Sequence, residues 1–166
     1  MNIYTKYVLI VFLLLFTRGY SQEKFNISLG IGFVEFFNVG TRYQIDQVQL
    51  GVNVGAWPNS ELYSYSGDFR FHFGDTSQFT NLKCWFMLFG INSVQNKASN
   101  RNSITHFFKT KIGRDINISK NAGINLSAGI LFPLTNNDKD SPGEPDGGGV
   151  SVSILPSIGF EFFIRF

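Results

Sequence analysis

From Phe25 onward, apolar and polar side chains alternate with a period of two through eight successive runs. That period puts neighbouring side chains on opposite faces of an extended chain, so the runs read as strands. In "KFNISLGIGFVEF", Phe25, Ile27, Leu29, Ile31 and Phe33 share one face, and Asn26, Ser28, Gly30 and Gly32 share the other. The same alternation runs through "FFNVGTRYQI", "QVQLGVNVGA", "LYSYSGDFRFHF", "KCWFMLFGINSV", "ITHFFKTKIG", "AGINLSAGILF" and "VSVSILPSIGFEFFIRF". Asp46 marks a tight turn between two of them. "WPNSE", "GDTSQFTN", "QNKASNRNS", "DINISKN" and "LTNNDKDSPGEPDGGG" separate others. No amphipathic helix intervenes.

Alternation does not say which face meets the surroundings; the make-up of the polar face does. It is rich in Gly, Ser and Asn, with Gly30, Gly32, Gly40, Gly51, Gly55, Gly90, Gly113, Gly123, Gly129 and Gly159 all on it. Gly67 alone among strand glycines falls on the apolar side. Small residues suit the interior of an eight-stranded barrel, where side chains barely fit. The aromatic and branched face must then point outward, which is viable only in lipid. Charged residues make up 16% of the chain, against about 25% in an ordinary soluble domain. In hydrocarbon every backbone N–H and C=O must be paired, so a sheet there has to close. Each run supplies the roughly 9 to 11 residues a tilted strand needs to cross. The expected fold is therefore all-β, an eight-stranded antiparallel up-and-down transmembrane β-barrel.

An even strand number puts both ends of the mature chain on one side, expected to be the periplasm. Tyr43, Phe73, Trp85 and Phe166 are expected at that rim, and Tyr63, Tyr65 and Phe132 at the other. The loops near 57–61, 95–103 and 134–149 are expected to face outward, beside an unusually short first outer loop near Glu35 to Asn38. Pro156 is expected where the last strand leaves the membrane.

The chain opens with the layout of a secretory signal: Lys6, then the apolar run Val8 to Phe16, then small residues Gly19 and Ser21. The reading is a cleaved signal over 1–21 and a barrel domain over 22–166. Taking 21 from 166 residues leaves 145, one domain. Removing Lys6 and Arg18 leaves 12 basic residues against 12 acidic ones, so nothing in the charge calls for nucleic acid. Cys84 is the only cysteine and permits no internal disulfide.

The inward face carries Arg42, Asp68, Arg70, Lys109, Lys111, Glu161 and Arg165, with His72. Unpaired buried charge is costly, so these are expected to pair as a polar lumen network and not to line an open pore. Phe86, Phe107, Leu131 and Phe163 on the same face add bulk. For catalysis, Asp68 and His72 lie four residues apart, roughly 13 Å along a strand and too far to bond. His106 is followed by two phenylalanines, and no nucleophile and base are paired in sequence. No enzyme, cofactor or metal is expected. Asp138, Asp140 and Gly143 fall at the first, third and sixth places of a calcium-loop pattern, yet Gly149 stands where its glutamate is required.

The ending, "SIGFEFFIRF", resembles the closing-strand signal of bacterial outer-membrane β-barrels, with Ser157, Gly159, Phe162, Ile164 and Phe166 at the matching positions. The chain is similar in layout to the small eight-stranded members of that superfamily. The resemblance implies an outer-membrane location, partners in outer-membrane lipid and the barrel-assembly machinery, and a monomer. Its expected role is structural or adhesive, through the outer loops. Two alternatives are a secreted lipocalin-like calyx with an apolar ligand and a lipid-modifying barrel enzyme.

Overall fold

The computed structural model describes residues 24–58, 61–98, 101–138 and 154–166. The segment expected to be a cleaved signal, 1–21, and the calcium-like stretch after Asp138 lie outside them. Eight strands follow in chain order: β1 Phe25–Gly32, β2 Phe36–Ile45, β3 Val48–Ala56, β4 Leu62–Thr76, β5 Lys83–Ala98, β6 Arg101–Asn117, β7 Ala122–Asp138 and β8 Leu155–Arg165. Each pairs antiparallel with the next, and β1 pairs with β8 to close the barrel. At the seam, Phe166 donates its N–H to the Phe25 carbonyl at 2.8 Å.

The barrel is apolar outside and polar inside. Leu29, Val52, Ile91 and Ile158 are 59%, 60%, 55% and 69% exposed, whereas Ser28, Asn53, Asn92 and Ser157 are buried. This inverts the arrangement of a water-soluble domain, in which the apolar face is the one hidden.

Strands β5, β6 and β7 are longer than their alternation predicts, at 16, 17 and 17 residues. The expected outer loop at 95–103 is instead a hairpin whose strands run on to Ala98 and from Arg101. "DINISKN" was expected to be a turn, yet β6 continues through Asp115 to Asn117, and the turn is 118–121. Hydrogen bonding across to β7 carries the strand further than the apolar pattern shows. Pro156 lies within β8, opposite Ile130. Bulges interrupt the register between Phe73 and Thr76 and between His106 and Phe107.

The β1–β2 connection, residues 33–35, bends into the barrel. Val34 and Glu35 are buried. The Glu35 carbonyl passes over Gly55, at a place where any Cβ would collide with it. Phe36, just after the bend, has φ of 55°, a conformation bulky residues avoid. Its ring packs edge-on against Trp57, centroids 6.0 Å apart, and this contact helps hold the strained backbone.

Candidate functional site: a charged network filling the lumen

The alternation of β2, β4, β6 and β8 turns one charged residue after another toward the axis, where they meet in three tiers. The middle tier centres on Glu161 of β8. Arg42 donates through Nη2 to both its carboxylate oxygens, at 2.7 and 2.8 Å, and Arg70 donates to Oε2 at 2.9 Å. Arg42 also donates to Ser28 Oγ at 3.0 Å. Asp68 lies 3.8 Å from Arg42 Nε and 3.7 Å from Arg70 Nε, and accepts from Asn53 Nδ2 at 2.7 Å. Such shared, charge-assisted contacts are the strong kind of hydrogen bond.

Arg70 stacks over the Phe86 ring, 4.7 Å from its centroid. His72 packs on the same ring and places Nδ1 3.0 Å from the Lys83 carbonyl. That contact requires the proton on Nδ1. Asp68 and His72 share a face without touching, as their spacing predicts.

Toward the end opposite the chain termini, Glu35 accepts from Lys111 at 2.6 Å and from Lys109 at 3.3 Å. Burial opposes ionisation of Glu35, but the nearby ammonium groups of Lys111 and Lys109 outweigh it and hold its carboxyl below the usual range. Lys109 also donates to Ser66 Oγ at 3.1 Å and lies 3.8 Å from Asp68, joining this tier to the middle one. At the other end Arg165 donates to Asp115 at 3.2 Å and to Asn117 at 2.6 Å, while Asn125 donates to Asp115 at 3.0 Å.

Of the polar residues expected in the lumen, Arg42, Asp68, Arg70, His72, Lys109, Lys111 and Arg165 are buried, and Glu161 is bonded between Arg42 and Arg70. Glu35 and Asp115 join them in ion pairs that the sequence reading does not contain. Asp115 continues the phase of Lys109, Lys111 and Gly113, so extending the period by one step finds it. Glu35 breaks phase, because a turn and not a strand brings it inward, and alternation carries no signal for that. Of the bulky residues expected inside, Phe86, Leu131 and Phe163 are buried and Leu88 joins them. Phe107, beside the bulge, is only half-buried.

In the closing strand, Ser157 faces inward and is buried, and Gly159 also faces inward. Phe162, Ile164 and Phe166 face outward and are exposed.

One further pair brings together residues far apart in sequence. Ser93 of β5 lies opposite His106 of β6, with Oγ 2.8 Å from Nδ1, on the outward face. Among the described residues no carboxylate bonds this imidazole, and no group of three His, Cys, Asp or Glu is placed to hold a metal.

The tiers leave the passage crossed by side chains from opposite walls, with cations and carboxylates nearly balanced. That arrangement braces a wall, and among the described residues its charges of both signs are paired. Comparisons with family models, with curated proteins and with solved structures returned no match.

Proposed function

We propose that this chain is an integral outer-membrane β-barrel protein, closed along its axis by the ionic network, which presents its outer end for structural or adhesive contacts. One observation carries the reading: the exposed face of a closed eight-stranded barrel is built mainly of Phe, Ile, Leu and Val, and the ion-paired charges are inside. A calyx for an apolar ligand has the opposite polarity. The long β5, β6 and β7 supply more chain than the roughly 9 to 11 residues per crossing need, and the surplus is available for contact at one end.

Fractionation of cells making the full chain tests this. The protein is expected to stay with the envelope through carbonate washing, to dissolve only in detergent, and to shift in gel mobility on boiling. Recovery in the aqueous fraction without detergent would overturn it.

A second reading, lipid modification, is favoured by the Ser93–His106 contact alone. It ranks below the first because, among the described residues, no acidic residue orients the imidazole. An envelope lipid profile unchanged by Ser93→Ala and His106→Ala removes it.

A further inference from the structure

We propose that the outer wall carries a binding site for a single anionic phospholipid, its phosphate held by Arg114 and one acyl chain lying over Ala128. The proposal rests on the membrane reading above. Arg114 interrupts the apolar outward column of β6: Ile112 and Ile116 on either side of it are 50% and 45% exposed. The lumen cations have carboxylate partners, whereas no carboxylate among the described residues pairs with Arg114. Its guanidinium instead stacks on Trp85, 5.4 Å from the ring centroid.

Such stacking fixes the plane of the guanidinium and leaves its N–H fork free for a phosphate. Arg114 is four residues from the turn at 118–121, near the end of the barrel that holds the chain termini. Trp85 belongs there too, and tryptophan favours the level of the headgroups.

A groove of about 980 Å³ runs along the wall from this pair. Ile112, Leu126, Ile158 and Phe160 line it, and Ala128, a small residue on a face of large ones, deepens it. A cation at one end of an otherwise apolar groove matches an amphiphile with an anionic head and a hydrocarbon tail. A free anion would use only the head position, and a neutral lipid only the groove.

The test is native mass spectrometry of the full chain refolded in uncharged detergent and mixed with phosphatidylglycerol. Wild type is expected to retain one lipid. Arg114→Gln should lower retention about fivefold, the effect of one interfacial cation. Ala128→Phe, which fills the groove and leaves the cation, should lower it as well. Diacylglycerol with the same chains should not be retained, and inorganic phosphate in large excess should not displace the lipid. Retention unchanged in both variants, or displacement by phosphate alone, overturns the site. Heat-shifted mobility on the same samples keeps the two readings apart. If wild type never folds in detergent, the membrane reading fails. If all three proteins fold and bind alike, only the lipid site fails.

Discussion

Glu161 is the residue on which the lumen most depends, since two guanidinium groups converge on its carboxylate. Glu161→Gln keeps the shape but removes the carboxylate both guanidinium groups bond, leaving Arg42 and Arg70 only the more distant Asp68, at 3.8 and 3.7 Å. Breaking a buried pair in this way costs about 3–5 kcal/mol. The expected outcome is a fall of that size in unfolding free energy, measured by denaturant titration in detergent. Two glycines report the inside–outside assignment more cheaply. A Cβ on Gly113 would lie 2.6 Å from the Leu126 carbonyl and crowd the Phe86 ring, whereas one on Gly67 meets nothing within 4 Å. Gly113→Ala is therefore expected to destabilise by about 1–3 kcal/mol through overpacking. Gly67→Ala should stabilise by about 0.4–1 kcal/mol, because the unfolded chain loses freedom. The same titration reads both, and equal effects would contradict the assignment.

At the level of elements, the inward turn of residues 33–35 and the tall β5–β6 hairpin make separate predictions. Glu35 ionises more readily in the folded barrel than in the unfolded chain. Its contribution is thus fully present above the unfolded value near about 4.3 and fades as pH falls through the lower folded value. The stability gap between wild type and Glu35→Gln should hold steady from neutral pH to about 5 and shrink below about 4.3; a gap that widens on acidification would contradict the ion pairing with Lys109 and Lys111. For the hairpin, Asn96 pairs with Ser103. Replacing residues 97–102 with Asn-Gly fits a two-residue turn at that register. The shortened barrel is expected to keep its heat-shifted mobility; failure to fold would make the hairpin part of the wall and not an appendage.

These two elements also mark the limit of what the sequence makes legible. The end of strand β2 is read to the residue, because Asp46, in the left-handed region, ends it sharply. Its start is not: the outer loop expected near Glu35 to Asn38 is the inward turn 33–35, and Phe36 to Asn38 already pair with β1. The far ends of β5, β6 and β7 escape, since past the apolar band the residues are polar on both faces and only cross-strand hydrogen bonds keep them extended. The phase of the lumen charges is legible from period two; which charge meets which depends on register and strand tilt, and those are set by closure. Ser93 and His106 are likewise joined by register alone.

For the molecule as a whole, every element follows from one inversion: bulk and hydrocarbon outside, small and charged groups inside. Closure of eight strands removes both sheet edges, which the proposed membrane setting would require. The ionic tiers then brace a wall that has no conventional apolar core behind it. The most direct test labels β8 with nitroxides, one cysteine at a time from Ser157 to Ile164 in a Cys84→Ser background, with the barrel in lipid vesicles. Accessibility to oxygen should peak at Ile158, Phe160, Phe162 and Ile164 and drop at the residues between them, with nickel complexes excluded from all four peaks. Water-soluble nickel reaching Phe160 and Phe162 as readily as a surface loop would contradict the account.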